Sequence, residues 1–173
     1  MLTVLIMSSI TLSHMNCPLW TDSPKITDVQ TYSSSDFNTE REMCNYIEAH
    51  APQFARDLLE IDYLGHRREF QLGTQKKYRG GCAPRVDFLF VSKSGQAILV
   101  ECKNPKNSYA ELVNSIGQMM AYICIAESNR LPVSKCAIVA SKYDHRVGMM
   151  IKEFSLPIDF YILTKNSMLK LAS

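Results

Sequence analysis

The chain has no C-x-x-C pair, no histidine cluster, no large excess of either charge and no apolar run long enough to cross a bilayer. Each absence removes a class of protein. The cysteines at 17, 44, 82, 102, 124 and 136 lack paired spacing, so they are read neither as a disulfide framework nor as a zinc site. Several lie in apolar runs, where a free thiol packs as a small hydrophobe, and a reducing, cytoplasmic setting is expected. The histidines are scattered without metal-ligand spacing. A formal net charge of +2 excludes a uniformly basic coat and leaves room for a local basic patch. The apolar start, Met1–Cys17, is too short for a membrane span. It also lacks the basic lead of a signal peptide, because the first Lys or Arg is Lys25. A weakly ordered leader, or a start at Met7 or Met15, is expected instead. Residues 1–38, rich in Ser, Thr, Asp and Pro, read as an irregular arm. No repeat or low-complexity tract is present.

What is there is an ordinary globular composition, 46% hydrophobic and 21% charged over 173 residues, enough for one domain with a sizeable core. Periodic structure begins at Thr39, and the domain is placed at 39–173. "TEREMCNYIEAH" predicts a helix with Thr39 as N-cap and Glu42 completing a capping box, and Pro52 breaks or restarts it. "REFQLG" reads as a strand and "TQKKYRGGCAP" as a loop. Two strands follow, Arg85–Val91 and Gln96–Lys103, joined by "SKSG" with Gly95 left-handed. A helix from Ser108 to about Glu127 carries an inward stripe of Leu112, Val113, Ile116, Met119, Met120 and Ile123. Strands at "KCAIVAS" and "IDFYIL" flank a helix at "HRVGMMIKEF". The order predicts an α/β fold, an αβββαβ core with a mixed central sheet flanked by helices.

Three charged residues interrupt the two apolar strands: Asp87, Glu101 and Lys103. Hairpin register sets Asp87 opposite Glu101, or one residue off at a bulge. Lys103, two residues beyond Glu101, shares its face. Two adjacent buried carboxylates repel. A divalent ion would resolve the conflict, and hard oxygen ligands select Mg²⁺, with Mn²⁺ as a substitute. Lys103 would then orient or deprotonate a bound water, or stabilise charge on a phosphate. The competing reading is a salt-bridged trio at a strand end. On the helix from Thr39, Glu40 falls on the inward side with Met43, Cys44 and Ile47. Arg67, Arg68, Lys76, Lys77, Arg79 and Arg85 cluster ahead of Asp87 around Gly80 and Gly81, a pattern suited to sugar-phosphate contacts. Lys106 and Asn104 extend that track.

"VD" on one strand and "ECK" ending the next resemble the motif of the PD-(D/E)xK nuclease superfamily, with Pro84 displaced from the acid. The resemblance covers about 39–162 and implies a restriction-endonuclease-like fold and Mg²⁺-dependent phosphodiester hydrolysis, DNA being the expected substrate. It implies that Asp87, Glu101 and the Cys102 carbonyl hold the metal and that Lys103 positions the water. "TEREMCNYIEAH" is similar to the first helix of Holliday-junction resolvases, which gives Glu40 a place at the metal. "GQMMAY" is similar to the Q-x-x-x-Y motif of RecB-like members, implying that Gln118 assists the site and Tyr122 approaches the nucleic-acid backbone; His66 is a poor match to the histidine that accompanies it. A homodimer or a larger complex is the implied assembly. The alternative is a nuclease-fold binding or accessory subunit without cleavage.

Overall fold

The computed structural model describes residues 37–73, 83–104, 108–165 and 168–172. Its elements run α1 (Glu40–Ala49), α2 (Ala51–Asp57), β1 (Tyr63–Gln71), β2 (Arg85–Ser92), β3 (Ala97–Lys103), α3 (Ser108–Ser128), β4 (Val133–Ala140), α4 (His145–Glu153), β5 (Asp159–Leu163) and β6 (Met168–Ala172). The strands form one six-stranded sheet in chain order. β1, β2 and β3 are antiparallel neighbours, β3–β4 and β4–β5 are parallel, and β6 closes antiparallel on β5. This is the expected α/β class with a mixed sheet. β1 begins earlier than expected, at Tyr63, and β6 is an additional strand.

Local chemistry explains the boundaries. Thr39 caps α1 by accepting the Glu42 N–H at 3.1 Å. The Glu42 carboxylate reaches back to the N–H of Asn38 at 3.0 Å, one residue further than the usual reciprocal bond. Pro52 lies in the first turn of α2, where its missing N–H removes no helical bond. The β2–β3 hairpin closes with Gly95 at φ +82, its N–H donating to the Ser92 carbonyl. Its register pairs Phe88 with Val100 and Val91 with Ala97.

The sheet separates two apolar layers. On one side Phe88, Phe90, Ile98, Val100 and Cys102 pack with Met43, Ile47 and Phe54 of α1 and α2. On the other, Leu89, Leu99, Ile138 and Phe160 pack with Leu112 and Met119 of α3 and Val147 and Ile151 of α4. β3 is therefore covered on both faces, and its side chains are buried from Ala97 to Cys102. Among the described residues no helix is long and apolar enough to cross a membrane.

Phe90 tests this arrangement. It is fully buried, with the rings of Phe54, His66 and Phe88 centred 5.4, 5.5 and 5.9 Å away. Phe90→Ala should lower unfolding free energy by about 3–5 kcal/mol in urea titration; a loss below about 1 kcal/mol would mean that the α1–α2 layer is not packed as described.

Candidate active site

The apolar sheet delivers charge at the C-terminal end of β3. Glu101 is only 3% exposed, a burial that a carboxylate tolerates when paired or neutral. Lys103 Nζ donates to Glu101 Oε1 at 2.8 Å and stands 3.9 Å from Glu40 Oε2. Glu101 Oε2 is buried and has no hydrogen-bond partner among the described residues. Asp87 Oδ2 accepts the backbone N–H of Cys102 at 2.7 Å, just beyond the last paired residues of the β2–β3 ladder. The backbone of Asn104 hydrogen-bonds Glu40, tying the start of α1 to the end of β3.

The electrostatics are those of acids crowded out of water. Burial, then the neighbouring Asp87 charge, pushes the Glu101 carboxyl up to about 7, and Lys103 offsets only part of this. Burial also raises Asp87, against the Cys102 N–H and Lys103, which favour its charged form. Glu40 is raised by burial, with Lys103 opposing and Asp87 adding to the rise. Burial alone would lower Lys103, but the charges of Glu101, Glu40 and Asp87 outweigh it and hold the ammonium protonated. Lys103 thus carries a positive charge and donates to Glu101; an ammonium in this state is no general base.

Asp87 reaches this cluster through a break in strand alternation. Phe88 and Phe90 face α1, but Val86 packs with Leu89 on the α3 side. β1 changes face at the same level: Arg68 bonds to Asn45 and Glu48 of α1, whereas Phe70 packs on the α3 side. Between them Glu69, which the register sets across from Asp87, adopts φ +49. That left-handed conformation strains a non-glycine residue. In place of the flat common face expected for Asp87 and Glu101, the structure has a kinked strand end. Glu101 alternates with Val100 and Cys102 and so lies on the α3 side, while Asp87 lines a cavity of about 630 Å³ with Glu40, Cys44, Asn45, Glu48 and Arg68.

The remaining expected residues divide. Arg67 and Arg85 are exposed, Arg85 lying 3.8 Å from Glu69. Gln118 is exposed on α3. Two of the expected contact residues bond within the fold. Tyr122 is buried, and its hydroxyl donates to the Arg85 carbonyl at 2.8 Å, which anchors the start of β2. Arg68 is held by Glu48 at 2.8 Å and Asn45 at 2.7 Å, so it braces β1 against α1. His66 stacks on Phe90 and bonds to Tyr63, a packing role. Asn104 bridges Phe37 and Ser141. Lys76, Lys77, Arg79 and Lys106 lie outside the described residues, as does most of the expected arm. Sequence reasoning missed Cys44, whose thiol lies beside Asp87; its apolar helix position marked it only as core.

No family model matches the chain, and no curated protein matches it. Among solved structures it is similar to a repair endonuclease from Pyrococcus abyssi, with 19% identity and a TM-score of 0.41, over 68% of this chain and 46% of that one. It is similar to EndoMS in a complex with double-stranded DNA, with 18% identity and a TM-score of 0.39, over 68% and 44%. It is also similar to the small subunit of the heterodimeric restriction endonuclease R.BspD6I, with 15% identity and a TM-score of 0.42, over 69% and 62%. The chain therefore spans about half to three-fifths of the length of these structures.

The raised Glu101 carboxyl has a signed consequence. Its folded pKa of about 7 exceeds the ordinary 4.5, so the native state holds the proton more tightly than the unfolded chain. The resulting stability is full below about pH 4.5 and is lost as pH rises towards 7. Glu101→Gln stays neutral and escapes that loss. In urea unfolding it should match the parent at acid pH and exceed it by about 1–3 kcal/mol above pH 7. A pH-independent difference would show that Glu101 is already ionised in the folded state.

Proposed function

We propose that the chain is a metal-dependent nuclease that hydrolyses phosphodiester bonds, DNA being the intended substrate. The observation that carries this reading is the buried Glu101 Oε2, without a hydrogen-bond partner among the described residues, at a strand end that also gathers Asp87, Glu40 and Lys103. An orphaned carboxylate oxygen with two further acids of raised pKa beside it fits a hard cation. Asp87 at the kink, Glu101, Glu40 and the Cys102 carbonyl would hold Mg²⁺, or Mn²⁺ in its place, by converging at the strand end where Lys103 already reaches both Glu101 and Glu40. When bound, such an ion supplies an activated water and neutralises charge on the phosphate.

The chain's own groups do the rest. Glu101 holds the Lys103 ammonium at 2.8 Å, so the lysine charge has a fixed position at the rim. There Lys103 would orient the attacking water and stabilise the negative charge developing on the phosphate. Gln118, exposed on α3, would assist. Arg67 and Arg85, with Lys76, Lys77, Arg79 and Lys106 in the stretches outside the described residues, would contact sugar-phosphate without reading sequence. Resemblance to the PD-(D/E)xK pattern at Asp87, Glu101 and Lys103 supports the same chemistry. The competing reading, a non-cleaving binding subunit, leaves the burial of Glu101 without a use.

Purified protein incubated with plasmid and end-labelled single strands should cleave in Mg²⁺ or Mn²⁺ and stop on EDTA addition. Asp87→Ala, Glu101→Ala and Lys103→Ala should each lower the rate by ~10²-fold or more while DNA binding persists. Cleavage that survives Asp87→Ala and Lys103→Ala would exclude this site. Binding should weaken as salt rises, in line with phosphate contacts.

A further inference from the structure

The cavity beside Asp87 is lined by Cys44, whose thiol lies near that of Cys102. Cys44 of α1 and Cys102 of β3 are both buried and free, 5% and 0% exposed. Their sulfur atoms lie within 4.8 Å of each other. One ligand atom each from Cys44, Cys102 and Asp87 lies within 4.8 Å of the other two. A tetrahedral Zn²⁺ with ordinary Zn–S and Zn–O bonds sets its ligand atoms roughly 3.5–3.8 Å apart, so small side-chain shifts would close the three around one ion. The cavity lined by Cys44 and Asp87 provides the entry path and space for a water in the fourth position. Two sulfurs make this a soft site, in contrast to the oxygen set around Glu101.

We propose that Cys44, Cys102 and Asp87 form a site for a thiophilic divalent ion, Zn²⁺ in nature and Cd²⁺ as its probe, and that its occupancy inhibits cleavage. Binding breaks two S–H bonds, forms two metal–sulfur bonds and one metal–oxygen bond, and releases two protons to solvent. The Asp87 carboxylate is then committed to the soft ion and withdrawn from the hard cation. The inhibitory part rests on the nuclease reading above; the binding part does not. Spacing hides the site from sequence, because its two cysteines belong to a helix and a strand far apart in the chain.

The test is a Cd²⁺ titration of the full chain, kept reduced with a phosphine and followed by the ultraviolet thiolate-to-cadmium absorption band. A band saturating at one Cd²⁺ per chain is expected. It should be lost in Cys44→Ser and in Cys44→Ala, each checked for folding by circular dichroism, and retained in Cys124→Ser. A wild-type band that survives both Cys44 variants, or no band at all, overturns the site. In the second arm, Zn²⁺ should inhibit Mg²⁺-dependent cleavage at least about tenfold more effectively in the wild type than in Cys44→Ala. Equal inhibition of the two overturns the regulatory link. A cadmium band in a protein that cleaves nothing supports the site and removes the nuclease; Mg²⁺-dependent cleavage without a band removes the site and keeps the nuclease.

Discussion

The structure turns on a carboxylate that a sandwich of apolar layers forces out of water. Glu101 sits on a strand covered on both faces, and one of its oxygens is satisfied by Lys103 while the other has no hydrogen-bond partner among the described residues. A hydrophobic residue of similar size would be cheaper there by several kcal/mol. The fold retains the acid and surrounds it with Asp87 and Glu40, whose charges make its ionisation harder still. Neutralising this group is the task that the rest of the site is arranged around, and Lys103 alone does it incompletely.

Packing supplies the rigidity that such an arrangement needs. α1 is fixed at its start by the Thr39 cap and by Glu42 bonding to Asn38 and Lys165. Its inward face is seated by Met43 and Ile47, so Glu40 has a defined height over the end of β3. β2 is anchored from the other layer by the Tyr122 hydroxyl on the Arg85 carbonyl. Burial raises that phenol to about 12, so the anchor stays a donor across the physiological range. Tyr122 thereby positions Asp87 through two residues of strand, a structural task for a residue whose motif pointed to nucleic acid.

Much of this was legible because it is local. Alternating and continuous apolar runs marked β2 to β5, Gly95 marked the hairpin, and Thr39 with Glu42 marked the start of α1. Charges at 87, 101 and 103 stood out because each breaks an apolar run. Other features carry no local sign. The first half of β1 holds Gly65, His66 and Arg67, which show no alternating apolar pattern; their pairing with Val91, Phe90 and Leu89 makes them strand. The kink at Glu69 lacks the glycine that would announce a left-handed residue. Arg68 read as one more member of a basic cluster, since its partners Asn45 and Glu48 are on a helix that only tertiary contact brings near.

The kink also decides how Asp87 can work. Had β2 kept strict alternation back from Phe88, Asp87 would face α3 beside Glu101, and Cys44 and the cavity would be out of its reach. With the break, its carboxylate takes the Cys102 N–H and lies near the thiols of Cys44 and Cys102 while still exerting its charge on Glu101. One carboxylate therefore stands between a hard, oxygen-rich environment and a soft, sulfur-rich one. Strain at Glu69 is the conformational cost of that position. A strand that served packing alone would relax by restoring alternation, at the loss of a carboxylate that borders both environments.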